Sequence, residues 1–181
     1  MEDNQHKILI EKSLKGDSRA QHRLFHLYVK AMYNTVLRIV PEVEEAEDVV
    51  QEGFIKAFTR LDQFRGTSTF GAWLKRIMVN TALNSLKKYS PELTDMEVLT
   101  ESANDTDEDW TNGMPSPAEI NNEVKKLPKG CRVIFTLHLI EGYEQKEVAE
   151  MLNVSTSTVK TQYRRARLLL KERLNAQGYE R

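Results

Sequence analysis

"EVAEMLNVSTSTVKTQYRRARLLLKERL", residues 147–174, decides how this chain is read. Its first part places Val148, Ala149 and Leu152 on one side and Glu147 and Glu150 on the other, the pattern of a short amphipathic helix. Asn153 tolerates the left-handed backbone that a tight turn needs, and Val154 can plug the corner. Beyond the turn, Val159, Tyr163, Ala166, Leu170 and Leu174 recur at spacings of four, three, four and four, an apolar stripe on a second helix. Ser157, Lys160, Thr161 and Arg164 fall opposite, flanked by Arg165. Two helices paired in this way make a helix-turn-helix. That geometry sets the start of its second helix into a DNA major groove, where hydroxyl and basic side chains reach phosphates and base edges. A solvated basic helix in an ordinary bundle would carry the same charges. Helix spacing, turn chemistry and charge together favour DNA.

The motif occupies a small part of 181 residues, so length leaves room for one ordinary domain or two small ones. A hydrophobic share of 40% with mixed charge fits a folded, soluble protein. No apolar run approaches the ~20 residues that cross a bilayer, and "MEDNQHK" does not read as a signal peptide. The single cysteine, Cys131, suits a reducing compartment, and the expected location is the cytoplasm, with no membrane insertion. The net charge of −1 hides a sharp division. Residues 1–89 hold fourteen bases and eleven acids, 90–124 ten acids and no base, and 125–181 twelve bases and six acids. The segments thus carry +3, −10 and +6, and only the last is marked as a nucleic-acid binder by charge.

Helical signals run through most of the chain. A short helix is expected over Ile8–Leu14, a long one from an N-cap at Ser18 to Val40 before Pro41, and a third from about Glu44 to Leu61. "QFRGTST" reads as a loop and Phe70–Lys88 as a fourth helix, completing a compact bundle. From Tyr89 to about Ala118 the chain is rich in Pro, Asp, Thr and Asn without periodicity, and reads as a flexible acidic linker. Helices resume at about Glu119, break at Pro128, and run from Lys129 to Ile140 before Gly142. The expected architecture is all-α, with two helical domains at 1–89 and 119–181 joined by the linker at 90–118.

The fourth helix, "FGAWLKRIMVNTALNSLKK", carries Phe70, Leu74, Ile77, Thr81 and Ser85 on a side that would face the core. Trp73, Arg76, Asn80, Asn84 and Lys87 form another stripe. Between Gln63 and Pro91 there are five basic residues and no acid. A ring for stacking, amides for base edges and cations for phosphates suit unpaired bases. Alternatively, Trp73 seals the core edge beside solvated amides. In the third helix, Ala46, Val50, Phe54, Ala57 and Leu61 make the buried stripe, and Asp48, Gln51, Glu52 and Ile55 lie opposite. An isoleucine among two acids and an amide fits a partner helix with a basic rim, although single exposed apolar residues are common.

Taken in order, "AEDVVQEGFIKAF", "FRGTSTFGAWLKRIMVNTALN" and "LPKGCRVIFTLHLIEGYEQKEVAEMLNVSTSTVKTQYRRAR" resemble a bacterial RNA polymerase sigma factor of the extracytoplasmic-function type. The resemblance covers most of the chain, with 1–89 similar to region 2 and 119–181 to region 4. It implies a transcription initiation factor without catalytic residues, metal or cofactor. By that resemblance Asp48, Gln51, Glu52 and Ile55 dock on the clamp helices of the largest polymerase subunit. Arg65, Trp73, Arg76, Asn80 and Asn84 recognise and hold the opened −10 element. Thr158, Lys160, Thr161, Arg164 and Arg165 read the −35 duplex. Contact with the flap of the second-largest subunit is also implied, as is an anti-sigma protein or another recruiter. The acidic linker, including "DTDEDW" (105–110), would thread a cationic polymerase channel. About 30 residues span at most roughly 100 Å, enough to separate the two readers by turns of duplex. Two departures stand out: Asn153 where many relatives carry glycine, and threonine in "RGTST" where an acid is frequent.

Two other readings are open. An autonomous helix-turn-helix regulator would use the C-terminal half and leave the Trp73 stripe and the Asp48–Ile55 face idle. An enzyme acting on nucleic acid would need a site. His22 and His26 share a helical face as metal ligands can, but without an evident third ligand they read as surface histidines. Cys131 has no evident histidine partner, and no phosphate-binding glycine loop occurs.

Overall fold

A computed structural model of the chain describes residues 2–89 and 116–179. Among these, every regular element is helical, and the chain divides into the units Met1–Lys88 and Tyr89–Arg181. The stretch read as an acidic linker lies outside the described residues except at 116–118.

The first unit holds four helices: α1 (Glu2–Leu14), α2 (Ser18–Ile39), α3 (Val43–Thr59) and α4 (Phe70–Tyr89). Helix α1 begins before the expected Ile8. The N-cap of α2 is Asp17 rather than Ser18: its carboxylate accepts the amides of Arg19 at 2.9 Å and Ala20 at 3.2 Å. An aspartate there satisfies two orphan donors and places negative charge at the positive helix end. The expected end of the third helix also moves. After Thr59 the chain tightens into a single 3₁₀ turn over Leu61–Gln63, which still buries Leu61.

The interior of this unit is built as the α3 stripe requires, with Ala46, Val50, Phe54, Ala57 and Leu61 all buried. Helix α4 differs from its expected wheel. Its fully buried side chains are Leu74, Met78, Val79 and Ala82, whereas Ile77 and Ser85 are half-buried. Burial extends over a broad arc that also includes Leu83 and Leu86, so a single four-residue row understates what is covered. Ser85 instead spends its hydroxyl on a 2.7 Å hydrogen bond to Glu45 of α3.

In the second unit the described residues resume at Ser116, whose hydroxyl and the Glu119 side chain make a reciprocal capping box around the start of α5 (Pro117–Lys125). Helix α6 (Lys129–Phe135) continues into a π-turn over Thr136–Ile140, where a single α-helix to Ile140 was expected. The Glu141 amide bonds back to Thr136 at 2.9 Å, and Gly142 then takes φ +81°, a left-handed position open to glycine at no steric cost. His138 secures this corner, with Nδ1 2.8 Å from the Tyr143 carbonyl and its ring edge-on to Tyr163 of α8. Helices α7 (Gln145–Leu152) and α8 (Thr156–Ala176) follow. Val124, Leu127, Cys131, Phe135, Ala166 and Leu170 form one apolar cluster on which α5, α6 and α8 close.

Candidate nucleic-acid and partner surfaces

The helix-turn-helix is built at Asn153, which has φ 57° and ψ 47° and is the only non-glycine residue at positive φ among the described residues. An asparagine accepts this conformation far more readily than a branched residue. Its amide and that of Val154 return to carbonyls in the last turn of α7, and Ser155 starts α8 by accepting the Thr158 amide at 3.0 Å. Val148, Ala149 and Leu152 of α7 are buried, as are Val159, Ala166, Leu170 and Leu174 of α8, with Tyr163 half-buried.

On the outer side of α8, Ser157, Lys160 and Arg165 are exposed, and Thr161 and Arg164 are half-buried. Thr158, grouped with them from the sequence, is only 6% exposed. Its hydroxyl lies 2.9 Å from Ser155 Oγ, so it belongs to the cap that starts the helix and does not share the outer face. Gln162, polar and one turn further, is likewise buried and accepts the Cys131 thiol at 3.0 Å. Burial pushes the ionisation of that thiol upward, which favours the protonated donor. Spacing alone did not single out Gln162; its buried place follows from α6 packing against the flank of α8.

In the first unit, Gly66 at φ +70° turns the loop that leads into α4, directly after the exposed Arg65. Thr69 Oγ1 accepts the Ala72 amide at 3.2 Å and so begins the helix. Trp73 stands half-buried at the core edge, 5.5 Å from Phe64 and 5.7 Å from Phe70 between ring centroids. Phe70 in turn packs on Tyr28 of α2 at 5.3 Å. Phe64, read from the sequence only as part of a loop, is therefore a support for the indole. Arg76, Asn80, Asn84 and Lys87 continue from Trp73 along α4, and all four are exposed. The stripe thus begins with a ring held by other rings and continues as cations and amides.

On α3 the other surface forms as the spacing requires: Asp48, Gln51, Glu52 and Ile55 are all exposed, Ile55 by 66%. Glu52 is 2.7 Å from Lys56, whose ammonium also lies 3.4 Å from the Thr81 hydroxyl of α4. This exposed pair adds little stability.

Among the described residues no cluster of three or more histidine, cysteine, aspartate or glutamate side chains could hold a metal ion, and no helix is long and apolar enough to cross a membrane.

A helical unit with a supported indole and an amide stripe, followed along the chain by a unit that ends in a basic helix-turn-helix, is the arrangement expected of a promoter-reading class of protein. Comparison with known proteins gives the same class. Residues 24–91 match the family Sigma-70 region 2, and residues 118–170 match Sigma-70, region 4. The chain is 33% identical to the RNA polymerase sigma-H factor of Pseudomonas aeruginosa over 174 residues, covering 90% of each. It is 32% identical to the ECF RNA polymerase sigma factor SigW of Bacillus subtilis, covering 93% of this chain and 96% of that one. Among solved structures, CnrH in complex with the cytosolic domain of CnrY aligns with a TM-score of 0.53 at 26% identity, covering 95% of this chain and 98% of that one. RpoE of Bartonella quintana, solved with the anti-sigma factor NepR, shares the fold with a TM-score of 0.54 at 22% identity, over 85% of this chain and 96% of that one. The chain belongs to the extracytoplasmic-function sigma factors, and it is a transcription initiation factor.

Proposed function

We propose that this sigma factor is a dissociable specificity subunit of bacterial RNA polymerase, working in the cytoplasm, with its tasks divided between the two units. Region 2 (residues 1–89) binds core polymerase through Asp48, Gln51, Glu52 and Ile55 on the clamp helices, and captures the −10 element. Residues 119–181 read the −35 duplex through Lys160, Thr161, Arg164 and Arg165, while Thr158 sets the start of the reading helix from inside. The acidic segment between them follows the polymerase channels, and the flap of the second-largest subunit receives the C-terminal unit. Regulation comes from an anti-sigma protein or another recruiter.

The observation that carries this reading is the contrast between neighbouring helices of one unit. Helix α3 exposes acids around Ile55, a surface that duplex DNA would repel and a basic-rimmed protein helix would accept. Helix α4 exposes Arg76, Asn80, Asn84 and Lys87 beside Trp73, without an acid, a surface for unpaired bases. One unit can therefore hold polymerase and non-template strand together. Stacking an unpaired base offsets part of the few kcal/mol that unpairing costs.

The test is transcription by purified core polymerase on a library of promoter fragments, with and without this protein. Protein-dependent starts that share two short upstream elements are the expected result. Tight duplex binding by the free protein with no binding to core polymerase would replace this reading with that of an autonomous regulator.

A further inference from the structure

His22 and His26 stand one turn apart on α2, both exposed, with their Nε2 atoms 3.0 Å apart. The rings meet edge to face, with centroids 4.3 Å apart. Between two neutral imidazoles this separation is one N–H donating to the other's lone pair. It is also a coordination distance. Two imidazole nitrogens at about 2.1 Å from one metal ion stand about 3.0 Å apart at the right angle of a square-planar or octahedral nickel or copper centre, and about 3.4 Å apart at a tetrahedral zinc, which a small ring rotation reaches. We propose that His22 and His26 form a two-point chelate for a late first-row divalent cation such as Ni2+, Zn2+ or Cu2+.

The donor set selects the class of ion. Imidazole is a borderline ligand that suits nickel, copper and zinc and serves magnesium and calcium poorly. Binding needs no net loss of a proton: the ring that donates through Nε2 moves its proton to Nδ1, and both Nε2 lone pairs then face the ion. Both side chains are exposed and can make the small ring rotations this requires. The backbone holds the pair in place, because Phe25, between them in sequence, packs its ring 4.7 Å from Phe54 of α3. The chelate therefore spans a helical turn anchored to the core of the unit.

Two protein ligands leave the remaining positions open to water or to a group from another molecule. Ser18, Arg19 and Arg23 line the same shallow surface pocket as His22. The guanidinium groups oppose a cation and limit affinity. They also favour an anionic group, such as a carboxylate or phosphate, as the exogenous ligand that completes the coordination. The site is thus a reversible one at which metal joins this helix to an acidic group.

The test is calorimetric titration of the full-length protein with NiCl2 and ZnCl2 in a non-coordinating buffer, beside His22→Gln, His26→Gln and His6→Gln variants. One equivalent of metal should bind the unaltered protein and raise its Tm by about 2–4 °C at saturation. Either His22→Gln or His26→Gln should weaken binding at least about tenfold, since each leaves a monodentate site. His6→Gln should leave it unchanged. Circular dichroism of each variant keeps misfolding apart from ligand loss. Equal binding in the His22→Gln/His26→Gln double variant would overturn the proposal, as would equally tight binding of Mg2+ or no heat with either transition metal.

Discussion

Gly53 of α3 lies directly under the sulfur of Met78 of α4: a Cβ at Gly53 would clash with Met78 Sδ and stand 3.0 Å from its methyl carbon. Met78 is fully buried and has little room to withdraw. The helix that presents Ile55 and the helix that presents Trp73 therefore meet where one of them has no side chain.

The first prediction follows from that contact. Gly53→Ala gains about 1 kcal/mol of helix propensity and loses about 1–3 kcal/mol to overpacking. The net effect should be a destabilisation of about 1 kcal/mol in urea unfolding. In a Met78→Ala background the same substitution should be neutral or stabilising. An unchanged midpoint for Gly53→Ala alone would mean that the thioether moves aside freely.

At the turn of the helix-turn-helix, Asn153→Gly should stay within about 0.5 kcal/mol of the unaltered protein, because glycine adopts positive φ at no steric cost. Asn153→Val should lose about 1–2 kcal/mol through the clash of a left-handed β-branched residue. Hydrogen exchange of the α7 amides measures both. Equal protection in the valine variant would show that the turn tolerates another conformation.

Acid should loosen the second unit at α5. The buried Glu123 carboxylate is held below the usual glutamate range by hydrogen bonds from Lys126 and from Gln177, 2.8 Å away at the end of α8. Glu119 is lowered likewise by Ser116 and by the Tyr179 hydroxyl. A carboxylate whose folded value is depressed stabilises the fold above its unfolded value, and that contribution disappears as pH falls through the folded value. Stability should therefore be flat above the ordinary glutamate value of 4.5 and decline below it. Glu123→Gln should flatten the decline. A Tm profile between pH 3 and 7, marked on the order of half-unit steps, measures it; a slope unaffected by Glu123→Gln would place the acid sensitivity elsewhere.

Trp73→Ala should slow open-complex formation by roughly 5–150-fold, the equivalent of about 1–3 kcal/mol of base stacking, with core binding changed less than about twofold. Phe64→Ala should produce a weaker form of the same defect, because Phe64 packs against the indole and helps hold it in place. Permanganate footprinting together with a core-binding titration separates the two effects. Equal loss of both would remove Trp73 from base capture.

Ile55→Ala should weaken core binding by about fivefold or more while leaving thermal stability within about 0.5 kcal/mol, as an exposed anchor would. Fluorescence titration against core polymerase reads the first quantity and thermal unfolding the second. A fall in stability with unchanged core affinity would show that Ile55 serves the fold instead.

Much of this is legible in the sequence. The α3 stripe from Ala46 to Leu61 is buried as its spacing requires, and so is the α8 stripe from Val159 to Leu174 apart from the half-buried Tyr163, because each helix buries one dominant face. The all-α class and the turn at Asn153 were equally plain, since periodicity and turn chemistry are local properties. The cap of α2 falls at Asp17, one position before the expected Ser18, because aspartate and serine both cap helices and only the backbone decides which side chain meets the free amides. The spacing in α4 points to a narrow row through Ile77 and Ser85, whereas burial centres on Met78, Val79 and Ala82.

The sequence by itself determined the helices, the division of charge, the turn chemistry and the family. All of these follow from neighbours along the chain and from the order of motifs. Only the tertiary structure decided that Thr158 turns inward to the Ser155 cap, that Gln162 is buried against Cys131, that Phe64 backs Trp73, and that His22 and His26 bring two nitrogens to within 3.0 Å. A helical wheel says which residues share a face. Which face is covered, and by what, depends on the other helices, and those contacts exist only once the chain has packed.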